Sequence, residues 1–154
     1  MNKAKNKKND ESKFEFRIEC DKSKTGKQFY WRVIEKSSGD CLVESKPLRF
    51  FKKAENAAKK IRRIKSKISH SLVKKGNQFA LGYKYHFRFE KESDNTMLYL
   101  RDNCARLVAQ FNMDMLTKKY KTDDKIADYL VKEIRYDISS AKIVNPPTVS
   151  KDLL

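Results

Sequence analysis

The sequence predicts an α+β protein of two tandem repeats, each a three-stranded antiparallel sheet followed by a packed helix. Three observations carry that expectation. Phe14, Phe16 and Ile18 alternate with Glu15, Arg17 and Glu19, the period of a half-buried strand. Ala54, Ala57, Ala58, Ile61, Ile64, Ile68 and Leu72 recur at three- and four-residue steps and line one helix face with apolar side chains. The same order of elements returns from Tyr85 onward.

Residues 1–13 are rich in Lys and Asn, with five lysines against Asp10 and Glu11, and read as a flexible basic tail. No apolar stretch follows this start, so it does not read as a secretory signal. The first repeat is placed at 14–75. After its first strand, Phe29, Trp31 and Val33 alternate with Tyr30, Arg32 and Ile34 in a second strand of aromatic and β-branched residues. Ser37-Ser38-Gly39-Asp40 reads as a hairpin loop, and Cys41 to Ser45 as a short third strand ended by Pro47. The helix is expected over 52–73, with Gly76 as its stop and 76–84 as a linker.

The second repeat is placed at 85–138. Tyr85, Phe87 and Phe89 alternate with His86, Arg88 and Glu90, and strands follow at 97–101 and 105–111. Thr122-Asp123-Asp124 is an N-cap with acidic first-turn residues. The helix it opens puts Ile126, Ala127, Leu130, Val131, Ile134 and Ile138 on one face. Residues 139–154, with Pro146-Pro147, are expected to be an irregular tail.

The motif pieces Phe14 to Phe16, Phe29-Tyr30-Trp31-Arg32, Gly39, Leu42-Val43-Glu44-Ser45 and the Ala/Lys helix resemble the YegP-like proteins. Those are small tandem repeats of a strand–strand–strand–helix unit. The resemblance covers 14–68 well and 85–138 weakly, where the Trp-Arg strand and Gly turn are lost. It implies a fold and assigns no catalytic residue.

Charge carries the functional expectation. In 154 residues, 36 Lys and Arg face 20 Asp and Glu, a net charge of +16. Self-repulsion of that size favours an anionic partner: nucleic acid, an acidic protein or an anionic membrane surface. The helix 52–67 holds Lys52, Lys53, Lys59, Lys60, Arg62, Arg63, Lys65 and Lys67 against Glu55 alone. A merely solvated helix would interleave signs to gain i,i+4 pairs, whereas a single-sign face suits phosphates. With Lys3, Lys5, Lys7 and Lys8 of the tail, these are the expected nucleic-acid contacts. Tyr30, Tyr83, Tyr85 and Tyr99 are candidates for base stacking, and Trp31 for the core.

Enzyme chemistry finds little footing. Lys24-Thr25-Gly26-Lys27 lacks the first Gly and the Ser or Thr of a phosphate loop. His70 and His86 are isolated, and Cys20, Cys41 and Cys104 have no metal-ligand spacing. The cysteines fit reduced thiols in a cytoplasmic setting. The expectation is a non-catalytic nucleic-acid-binding accessory protein without metal or cofactor, in a ribonucleoprotein or other nucleoprotein assembly. It tolerates many sequences and takes RNA or DNA, since no base-reading motif is present. The alternative is an adaptor that docks an acidic protein or self-associates through sheet edges.

Overall fold

The computed structural model describes residues 12–23, 26–75 and 84–149. The tail lysines Lys3, Lys5, Lys7 and Lys8, Tyr83 and most of the expected linker lie outside the described residues. The elements are β1 (Phe14–Ser23), β2 (Gly26–Glu35), β3 (Cys41–Glu44), α1 (Ala54–Lys67), β4 (Leu72–Lys75), β5 (Tyr85–Glu92), β6 (Asn95–Asp102) and β7 (Leu107–Phe111). They continue with α2 (Met113–Lys119), α3 (Asp123–Tyr129), a π-helical turn (Leu130–Ile134), α4 (Arg135–Ser140) and β8 (Lys142–Val149).

These strands form one mixed eight-stranded sheet in the order β4-β5-β6-β7-β3-β2-β1-β8. The expected pair of three-stranded sheets, each with its own helix, is therefore not what the chain builds. Two antiparallel meanders exist, β1-β2-β3 and β5-β6-β7. They are fused where β3 pairs antiparallel with β7, Val43 opposite Phe111 and Glu44 opposite Gln110. The strands that follow the helices cross over as well: β4 runs parallel to β5, and β8 parallel to β1. The physical reason lies in edges and area. A three-stranded sheet under one helix would leave β3 and β7 unpaired and would bury little apolar surface. Fusion satisfies both edges and places all helices over a single core.

That core takes one face of the sheet. Phe14, Phe16 and Ile18 of β1 stand beside Val33 and Trp31 of β2, and Phe87 of β5 beside Leu100 of β6. Aromatic edges meet in it: Phe16 against Trp31 at 5.7 Å and Phe87 against Phe111 at 5.6 Å between ring centroids. From α1 come Ala57, Ala58, Ile61 and Ile64, with Ile68 from the 3-10 turn that follows. Tyr30, Ile34, Cys41 and Tyr99 are buried too, but outside this cluster, on the sheet's other face.

Three further boundaries differ from expectation. The first helix ends at Lys67 and not at 73, because Ser71 turns to extended backbone and Leu72-Val73 open β4. The helix α2, for which sequence reasoning holds no expectation, precedes α3: Asn112 caps it by accepting from the Met115 N–H, while its own N–H and Nδ2 donate to the carbonyls of Leu42 and Cys41. Residues 142–149 are a strand and not an irregular tail, since Ile143 and Val144 continue the sheet beside Phe16 and Arg17. Pro146 and Pro147 are tolerated there because β8 is an edge strand, where one row of N–H groups has no partner to serve.

Thr122 caps α3 as expected, its hydroxyl accepting from the Lys125 N–H at 3.2 Å. The apolar face beyond it is narrower than the sequence suggests. Ile126, Leu130, Ile134 and Ile138 are buried, Ala127 is half-buried and Val131 is exposed. Successive four-residue steps drift about 40° each on an α-helix. The π-turn at 130–134, wider by a residue per hydrogen-bonded ring, removes much of that drift and keeps the four in line.

This register is testable by substitution. Leu130→Ala should cost about 2–5 kcal/mol of unfolding free energy, whereas Val131→Ala should change it by no more than about 0.5 kcal/mol. Urea unfolding followed by far-UV circular dichroism measures both, and equal losses would contradict the π-turn register.

Candidate nucleic-acid interface

Two populations of cations stand out. On the sheet face away from the core, each half carries an arginine among carboxylates. Arg32 reaches Glu19 at 3.4 Å and Glu44 at 3.5 Å, and Arg17 meets Glu15 at 2.7 Å. Lys46 joins Asp21 at 2.8 Å. In the other half Arg101 and Arg88 converge on Glu90. Tyr30 donates its hydroxyl to Glu19 at 3.0 Å, and Tyr99 donates to Glu92. Burial, then the hydrogen bond from its hydroxyl to Glu92, pushes the Tyr99 phenol up to about 12. Burial lifts the Cys41 thiol to about 11, against the pull of Arg32 beside it. The arginines of this face are neutralised within it, and a groove of about 780 Å³ is lined by Glu44, Asp94, Asp114 and Asp123 without a Lys or Arg.

The second population is α1. Its buried stripe faces the sheet and its other sides face solvent: Lys52, Lys53, Lys59, Arg62, Arg63 and Lys67 are exposed, and Lys60 and Lys65 are half-buried. Among the described residues none of these eight makes an ion pair. The arrangement is unfavourable in isolation. Lys59 and Arg63, and Arg63 and Lys67, are like charges four residues apart, each pair costing about 0.2–0.5 kcal/mol. Lys52 and Lys53 stand at the positive end of the helix dipole, and Lys53, as N-cap, provides no side-chain cap. Only Lys65 and Lys67 sit in the last turn, where the dipole welcomes them.

One place gathers cations from three separate parts of the chain. The Lys60 ammonium lies 5.5 Å from the centre of the Tyr85 ring. Tyr85, first residue of β5, faces Asp102 directly across the β5–β6 ladder. Asp102 holds Arg106, its carboxylate 2.8 Å from Nε, and accepts the backbone N–H groups of Cys104 and Arg106 at 2.9 Å each. Burial alone would raise the Asp102 pKa, but those N–H groups and the guanidinium outweigh it and hold the carboxyl below its ordinary value. Burial, then the nearby guanidiniums of Arg49 and Arg63, lowers the pKa of Lys60.

Three of the four stacking candidates do not survive this geometry, and the fourth, Tyr83, lies outside the described residues. Tyr30, Tyr85 and Tyr99 are all buried, and Trp31 is in the core as expected. Among the described residues Tyr136 is the large aromatic that stands exposed, with Arg135 5.8 Å from its ring centre. Sequence reasoning finds Lys60 and Arg63 but misses Arg49 and Arg106. Nothing in the spacing of residues 49, 60 and 106 announces that the β5–β6 ladder and α1 bring them together. No described group of His, Cys, Asp and Glu could hold a metal ion, and no described helix is long and apolar enough to cross a membrane. Comparison with family models, with curated proteins and with solved structures found no match.

Asp102 offers a check on the turn that carries Arg106. Asp102→Asn should cost about 1–3 kcal/mol at neutral pH by weakening bonds to a charged acceptor. A depressed carboxyl stabilises the fold above its unfolded pKa, near 3.9 as for any Asp. That stabilisation is lost as pH falls through the folded value. The difference between wild type and variant should therefore shrink on acidification, and a pH-independent gap in urea-unfolding midpoints would argue against the carboxylate's role.

Proposed function

We propose that the protein is a non-catalytic nucleic-acid-binding accessory protein, part of a nucleoprotein assembly in the cytoplasm, that takes phosphate backbone on the α1 face. The basic tail, with Lys3, Lys5, Lys7 and Lys8, extends the same electrostatic attraction. One observation carries the reading: the arginines on the sheet's outer face are matched by carboxylates, and the eight cations of residues 52–67 are not. Unmatched like charges on a rigid helix cost stability, and a polyanion both removes that cost and releases its own counterions. The buried tyrosines leave phosphate contacts as the main attraction, so binding should be tolerant of sequence. RNA and DNA are both compatible with such contacts.

The adaptor reading draws less from the molecule. Its sheet edges are poor templates for another chain, since β4 has four residues among those described and β8 contains two prolines without N–H groups.

The test separates position from total charge. A variant with Lys59, Lys60, Arg62 and Arg63 changed to Gln should bind RNA and duplex DNA at least tenfold more weakly. Its duplex salt slope should be less negative by about 0.9 for every phosphate it no longer neutralises. A charge-matched control with the exposed Lys118, Lys119, Lys125 and Lys132 changed to Gln should stay within about threefold of wild type, as charges off the binding surface act only through the overall field. Fluorescence anisotropy reads both. Equal weakening in the two variants would reduce the interaction to net charge and remove the α1 site.

A further inference from the structure

We infer that Arg49, Lys60, Arg63 and Arg106 form a phosphate subsite, seated over the Tyr85 ring, that fixes one phosphate of the bound strand beside α1. The inference rests on the polyanion reading and gives it a defined anchor. Three structural facts converge on it. Lys60 is half-buried with its ammonium over an aromatic face and without a carboxylate partner among the described residues. Arg106, on the β6–β7 turn, is tied to this place by its pair with Asp102, opposite Tyr85, and Arg63 stands three residues beyond Lys60 on α1, where side chains are neighbours. Arg49, from the segment before α1, adds its positive field at both Lys60 and Tyr85. Asp102, the single carboxylate at this place among the described residues, is already engaged by Arg106 and two backbone N–H groups.

Four cations and one carboxylate leave three positive charges unmatched at one point. A phosphate placed there meets guanidinium forks from two or more elements, the geometry in which arginine binds phosphate most strongly. Asp102 positions Arg106 and does not face the anion alone, because its oxygens are taken by donors. The difference from the rest of α1 is rigidity. Lys52, Lys53, Lys59 and Arg62 are free-standing exposed side chains, whereas Lys60 is held on Tyr85 and Arg106 on Asp102.

Arg49→Gln decides the matter, because Arg49 lies off the helix. In the full chain, titrated with a mixed-sequence single-stranded RNA, it should lower affinity three- to tenfold and make the salt slope less negative by about 0.7, one phosphate's share on a single strand. Arg49→Lys should recover part of the loss, since charge returns without the fork. Lys59→Gln/Arg62→Gln, outside the cluster, serves as the comparison. Loss in that comparison with wild-type binding by Arg49→Gln would overturn the subsite and leave the α1 reading standing; no loss in either would overturn both. A second measurement needs no substitution. Cys104 is exposed in the same turn as Arg106, while Cys20 and Cys41 are buried. Saturating RNA should slow alkylation of Cys104 by iodoacetamide severalfold, and an unchanged rate would count against a strand seated at this turn.

Discussion

The pairing of β3 with β7 is the contact on which the rest of the structure depends. It is short: Val43 opposite Phe111, Glu44 opposite Gln110, and Asn112 closing the seam on the carbonyls of Leu42 and Cys41. Without it two meanders would each present an open edge. With it, one sheet backs one core, and α1, packed on β1, β2 and β8, comes within reach of Tyr85 in the second half. Only then can Lys60, from the first half, rest on Tyr85 of the second. Asn112 serves two elements at once, since the same side chain that donates across the seam also caps α2.

The two faces then divide the electrostatic work. The face away from the core holds its arginines against Glu15, Glu19, Glu44 and Glu90, and surface pairs of this kind contribute little to stability, about 0–1 kcal/mol each. Their consequence is to cancel the field there. Residues 52–67 concentrate eight cations against Glu55, and the burial of Ala57, Ile61 and Ile64 fixes where these lysines and arginines point. A basic protein of this kind gains a directional surface from an ordinary amphipathic pattern, because α1 carries a single carboxylate, Glu55, against its cations.

Much of this is legible in the sequence, and the remainder is not for identifiable reasons. Alternation at Phe14 to Glu19 and Tyr85 to Glu90 marks strands whose inward residues are buried, apart from Phe89, which is half-buried. The three- and four-residue stripe marks α1, and Thr122 marks the start of α3. Alternation says nothing of which strand pairs with which. The β3–β7 seam and the parallel β4 and β8 are therefore invisible to it, and the chain reads as two closed repeats. Leu72 fits the helical stripe by spacing and belongs to a strand by backbone. The prolines at 146 and 147 hide β8, since an edge strand accepts what a central one cannot. The α1 cations are found from charge alone. Arg49 and Arg106 need the fold, because their proximity to Lys60 is a product of topology.

The most direct measurement of the central claim is lysine footprinting: brief acetylation of the full chain with and without saturating RNA, read residue by residue by mass spectrometry. The account predicts protection of Lys52, Lys53, Lys59, Lys60, Lys65 and Lys67, with Lys118, Lys119, Lys125 and Lys132 reacting as in the free protein. Protection centred on the second group, or spread evenly over both, would contradict it.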